Sequence, residues 1–295
     1  MSLPLVPFAE ATSLRPGAVL TSWSLEPIPT VGVVVAAILY GEGLRAVRRR
    51  AGPAFPTWRV GCFLAGLLVL FLALASPIDA YAPVLLSDHM VQHVLITMVA
   101  APLLVLGTPI LLALRAAGPV ARRRFILPVL HAAPVRALAS PLVGWAAFAV
   151  VMWGTHVSAV YEAAVRSTGL HALEHVAYLG AALLFWRPVV GLEPGPGRLS
   201  HPARILFLFL AMPVTSLLGL AISASNHVLY PSYVAGAQLL GVSALSDQKL
   251  AGTMMWTAGM FLMAPALGLV LMDWMRHDEQ QARRADARRA SRAGP

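Results

Sequence analysis

Two pairs of histidines four residues apart, His89/His93 and His171/His175, are where residue type and spacing in this chain promise chemistry. On a helix that spacing stacks two imidazoles on one face, roughly 6 Å apart along the axis. Each pair stands at the head of a long apolar run, where ionisable side chains are costly to keep and mark sites. A further run ends on His156, and Asp247 opens the last one. The two pairs, His156 and the Asp247 carboxylate could together surround one or two metal ions. Neutral imidazole suits copper, zinc and iron. Supporting groups recur at helical spacing: Gln92 three residues after His89, Glu174 three after His171, Tyr178 three after His175, with Asp88 beside His89. Such partners fix the tautomer of a ligating histidine. Met254 lies two turns below Asp247 on the same face, with Met255 beside it. A thioether favours Cu(I), although methionine is also common filler in a helix bundle. The plainer alternative is that the histidines sit at the membrane surface and bond loop carbonyls.

The elements that must position these groups are membrane spans. Hydrophobic residues make up 58% of the 295 and charged residues only 12%, about half the charge of a soluble domain. Runs of about 20 apolar residues fall near 29–46, 58–76, 89–114, 138–157, 169–187, 204–225 and 249–273. The expected fold is therefore an all-α transmembrane bundle of about seven helices over 29–275. An N-terminal segment, 1–28, precedes it and a basic tail, 276–295, follows. The first 26 residues show no cleavable signal peptide. Pro102, Pro109, Pro213 and Pro265 make kinks plausible within or near spans.

Arginines cluster after the first, third and fifth spans and in the tail, as at Arg48–Arg50, Arg122–Arg124, Arg187 with Arg198, and Arg283–Arg284. Intervening loops carry Asp79, Asp88, Glu162 and Asp247 and few basic residues. This bias puts the N-terminus outside and the C-terminus in the cytoplasm. His89, His93, His156, His171, His175 and His227 then share the outer level. The net charge of +9 is explained by topology, so nucleic acid is not the expected partner; the lipid bilayer is. The single cysteine, Cys62, excludes a disulfide framework, a CxxC redox pair and a thiolate zinc site. GxSxG, Walker A, HExxH and CxxCH motifs are absent.

The phrase Ser87-Asp88-His89-Met90-Val91-Gln92-His93, running on to Ala101-Pro102 and Gly107-Thr108-Pro109, resembles the hallmark of the CtaG family of caa3-type cytochrome c oxidase assembly factors. Two later blocks agree: His156 and Tyr161 followed by His171-Ala-Leu-Glu174-His175 and Phe185-Trp186-Arg187-Pro188, then Asp247-Gln248-Lys249-Leu250-Ala251-Gly252. The resemblance covers the chain from about the second span to the seventh. It implies a bacterial inner-membrane protein with seven spans that supports maturation of a haem-copper oxidase by handling copper. Its functional positions would be His89, His93, His156, His171, His175 and Asp247. The expected partner is an oxidase subunit or another copper chaperone; a homo-oligomer stays open. The single-span copper donor sometimes given the same name differs, since it carries outer thiolates and this chain does not.

Three other readings remain. A membrane enzyme would hold zinc or two metals with an open position, using Glu174, Asp88 or Tyr161 as acid, base or orienting group. A substrate cavity reaching into the bilayer would favour it. A haem protein would take one histidine of each pair as axial ligand, but the pairs sit at helix ends and not deep in the bundle. A metal transporter is disfavoured because polar residues do not continue to the cytoplasmic side.

Overall fold

All seven apolar runs fold as helix, and their ends are set by identifiable residues. The computed structural model describes residues 23, 27–50, 53–195 and 197–292; the N-terminal segment over 1–28 lies almost wholly outside them. Helix occupies 84% of the structure, and no strand is present among the described residues.

Helix α1, Pro27–Arg48, starts on proline and ends on Arg45 and Arg48, the polarity a helix dipole favours. Helix α2, Thr57–Ala75, stops at Ser76, whose hydroxyl accepts from Ile78 N (3.2 Å) and starts α3, Pro77–Tyr81. The third run is not one regular helix. It is α4, Leu86–Val94, then a π-helical segment, Leu95–Ala100, then α5, Ala101–Leu106, and after a break α6, Pro109–Ala116. At the break Thr108 takes a left-handed conformation, φ 47°, and its hydroxyl accepts from Arg59 (3.1 Å).

Helices α7, Pro141–Thr155, and α8, Ser158–Val165, are bent by 78° at His156. Helix α9, Thr168–Val190, is capped at its start by the Ser167 hydroxyl and closes on Gly191, φ 64°. Helix α10, His201–Ala224, precedes a loop with a short turn at Pro231–Tyr233. Helix α11, Ala244–Arg292, continues as one 49-residue helix through the basic tail. Pro213 and Pro265 lie inside α10 and α11 without splitting them.

Among the described residues five helices are long and apolar enough to cross a membrane, or six if α7 and α8 form one bent span. Helix α9 has the length, at 23 residues, but carries His171, Glu174, His175 and Arg187 and so is less apolar. Large apolar side chains stay exposed along the helices, such as Val150, Val176, Leu217 and Phe261. A water-soluble surface would not tolerate that much; lipid would cover it. The chain is a multi-pass membrane protein. The core lies between α4, α7, α9, α10 and α11, around Met90, Ile96, Tyr161, Tyr178, Phe185, Trp186, Leu208 and Met255. Helix α1 stands to one side against α2 and α6 and leaves an apolar cavity of about 800 Å³ between itself and α9.

Candidate metal centre

The start of α4 places the first histidine pair, and the chain caps it from a distance. Leu85, at the N-cap, has no side chain able to satisfy the first amides. Asp247 of α11 does so: one oxygen accepts from Leu86 N (2.7 Å), the other from Ser87 N (3.4 Å) and Ser87 Oγ (2.5 Å). A charged acceptor at a helix N-terminus is favoured by the dipole as well as by the bonds. The sequence put Asp247 among the ligands. The structure gives its carboxylate to the start of the helix that carries His89 and His93.

His89, His93, His156 and His175 are buried and His171 half-buried. Ring centroids of His89 and His93 lie 4.3 Å apart, those of His171 and His175 also 4.3 Å, and the two pairs meet with His89 5.1 Å from His171 and His93 5.9 Å from His175. His156, at the α7–α8 bend, closes the group 6.3 Å from His93. One ligand atom each from His89, His93 and His175 lies within 4.8 Å of the other two; the same is true of His89, His171 and Glu174. Two donors on one metal at bonds of about 2.1 Å stand at most about 4.2 Å apart. Either triad could close on an ion through small side-chain shifts, and His89 belongs to both.

Hydrogen bonds fix several rings and leave the rest bare. The Gln92 amide donates to the Ala73 carbonyl (2.9 Å) and to Asp79 (2.7 Å), so its oxygen must face His175, whose Nε2 donates to it (3.1 Å). His175 Nδ1 is thereby left with the lone pair. His89 Nδ1 lies between the hydroxyls of Tyr233 (2.6 Å) and Tyr161 (2.7 Å), while its Nε2 stands 3.4 Å from Nε2 of His171. Burial pushes the Tyr233 phenol well above its ordinary pKa, so it keeps its proton. His156 Nδ1 donates to the Met152 carbonyl (2.7 Å), which leaves Nε2 bare. Both nitrogens of His93, His156 Nε2 and both oxygens of Glu174 are buried without a hydrogen-bond partner. Each such atom costs about 1–3 kcal/mol if nothing satisfies it. Orphaned acceptors gathered in one place fit a bound cation.

The expected site residues divide accordingly. Glu174 stands among the donors and not behind His171. Gln92 serves His175 on another helix. Tyr178 bonds Thr155 (2.5 Å) and stands 3.2 Å from His156 Nδ1, not at His175, and its ring lies 4.2 Å from that of His93. Asp88 is half-buried on the first turn of α4. Met254 is half-buried, whereas Met255 is buried and faces the cavity below the histidines. His227 is exposed.

Spacing missed Tyr233 and Tyr230. Tyr233 reaches His89 because Glu162 of α8 accepts from Ser232 N (3.0 Å) and Ser232 Oγ (2.5 Å) and pins the turn. Tyr230 donates to the His156 carbonyl (2.9 Å). Two tyrosines flanking Pro231-Ser232 in a short loop were the only trace of this in the sequence.

An uncharacterised protein of Mycobacterium bovis is 29% identical over 275 residues, 91% of this chain and 42% of its own length. One of Mycobacterium leprae is 26% identical over 276 residues, 90% of this chain and 41% of its own. The chain thus spans about two-fifths of the length of the curated relatives it matches. No solved structure matches it. The model of the cytochrome c oxidase caa3 assembly factor family matches residues 38–277, a stretch that includes every residue of the histidine cluster. On that match the chain belongs to the family of cytochrome c oxidase caa3 assembly factors.

Proposed function

We propose that this chain binds copper at the histidine cluster and supports its insertion into cytochrome c oxidase. The orphaned donors of His93, His156 and Glu174, gathered beside His89, His171 and His175, carry this reading. Imidazole and carboxylate accept copper, and histidine ligands can be exchanged, which a delivery site requires. The arginine bias of the loops argues for seven spans, with α9 as the fifth, the N-terminus outside and the cluster on the outer face of the bacterial inner membrane. From there an oxidase subunit or another copper chaperone has lateral access.

Metal analysis of the protein purified from membranes, beside a His93→Ala/His175→Ala variant, tests the proposal. Copper that copurifies with the native chain and is absent from the variant is the expected result. Equal metal content in both, or none in either after copper loading, overturns it.

A second reading has its own support. His89, His171 and Glu174 form a two-histidine, one-carboxylate set, the donor type of zinc hydrolases and non-haem iron oxygenases. His175 also lies in the wall of the 800 Å³ apolar cavity beside α9. Zinc or iron in place of copper in the same analysis would favour a membrane enzyme.

A further inference from the structure

Beneath the histidine cluster the bundle encloses a cavity of about 20 Å³, room for one small ion or one water. Its wall includes four methionines from four stretches of chain: Met90 of α4, Met98 of the π segment, Met152 of α7 and Met255 of α11. His93 and His156 complete it. The chain has 11 methionines, so four around so small a space is a concentration that filler alone does not call for. All four are buried, as are both histidines. A second, independent feature points the same way. His93 has no hydrogen-bond partner on either nitrogen and His156 has none on Nε2, and the only other polar side chains on this wall are Thr97 and Thr215, whose hydroxyls already donate to the carbonyls of His93 and Met212.

We propose that this cavity is a separate soft-metal site that takes a cuprous ion, held by methionine thioethers with His93 and His156. Thioether and neutral imidazole together select Cu(I) over the harder divalent ions that suit His89, His171 and Glu174. The unbranched methionine side chain lets the wall adapt to the two to four ligands of a cuprous ion. His93 belongs both to this cavity and to the triad with His89 and His175. One ring thus borders both positions, which gives an ion a route between them without crossing unliganded space. The proposal rests on the copper reading above, shares His93 and His156 with it and adds the four methionines.

The test titrates the purified full-length protein with Cu(I) anaerobically against a chromophoric chelator, and records X-ray absorption at the copper edge. Sulfur neighbours are expected in the native protein. In a Met90→Leu/Met98→Leu/Met152→Leu/Met255→Leu variant they should vanish and affinity should fall about tenfold or more. Co(II) binding, which reports the His89, His171 and Glu174 position, should persist and also shows that the variant is folded. Leucine conserves methionine volume well; the single variants Met90→Leu and Met255→Leu give the same comparison if the fourfold one fails to fold. Copper bound with nitrogen and oxygen neighbours only, at unchanged affinity in the variants, overturns the soft site and leaves the histidine reading standing. Failure of the native protein to bind copper in any state overturns both.

Discussion

Asp247 lies 160 residues from Ser87 in sequence and 2.5 Å from it in space. Its type and place suggested a ligand; its hydrogen bonds give it the role of a cap for α4. The two roles separate in one substitution. Asn keeps one acceptor oxygen for Leu86 N and can donate to Ser87 Oγ, so Asp247→Asn should keep any bound metal and lose the long bond from Ser87 N with the charge–dipole contribution, about 0.5–1.5 kcal/mol. Asp247→Ala should lose about 0.5–2 kcal/mol of stability and weaken metal binding by letting the start of α4 fray. Metal analysis and thermal unfolding in detergent distinguish these outcomes, and loss of metal from the Asn variant would restore Asp247 to the ligands. The histidines themselves were legible because the i,i+4 rule is local. What serves each histidine was not. Gln92 holds His175 across two helices and Tyr178 meets His156, pairings that depend on packing, which spacing along one chain does not encode.

The helices were legible to within a few residues because apolar length dictates them, except that the last, expected over 249–273, continues to Arg292 through the charged tail, which apolar length does not mark. The departures occur where backbone geometry changes within a run, once without proline and once just before one. The chain bends by 78° at His156, in a Gly-Thr-His-Val stretch, and breaks at Thr108, one residue before Pro109. The prolines inside α10 and α11 leave those helices unbroken, since neighbours can satisfy the freed carbonyls. Helices α10 and α11 touch through glycines. A Cβ on Gly252 would stand 2.6 Å from the Gly219 carbonyl and from Ser223 N, and one on Gly219 would stand 2.7 Å from the Gly252 carbonyl. Gly252→Ala should force the helices apart and cost about 1–3 kcal/mol. Gly268→Ala, on the same helix with open space around it, should cost nothing measurable by thermal unfolding. Equal stability of the two variants would mean that the close approach is not a determinant of the bundle.

At the scale of the whole molecule, the arginine pattern gives an orientation that labelling can test. In a Cys62→Ser background, Asn226→Cys in the loop after α10 should react with a membrane-impermeant maleimide added to intact cells. Ala282→Cys in the tail should react only after the membrane is opened. The reverse pattern would put the histidine cluster on the cytoplasmic side and remove its access to an external partner. The 49 residues of α11 extend to about 73 Å, more than twice a hydrocarbon core of about 30 Å. One continuous helix therefore carries Asp247 and Met255 beside the histidine cluster and the arginines of the tail at its far end. The π segment settles the phase between the two halves of another span. Above it the third span shows His89 and His93 to the other imidazoles; within it the Thr97 carbonyl accepts from Trp186 (2.8 Å) and Met98 reaches the cavity. A π turn amounts to one extra residue in an α-helix. With one residue fewer between Leu95 and Ala100, the lower half would keep its seat and the histidine pair would point about 100° around the axis. A single-residue insertion or deletion is thus enough to assemble this centre or to scatter it, with the hydrophobic length of the span hardly altered.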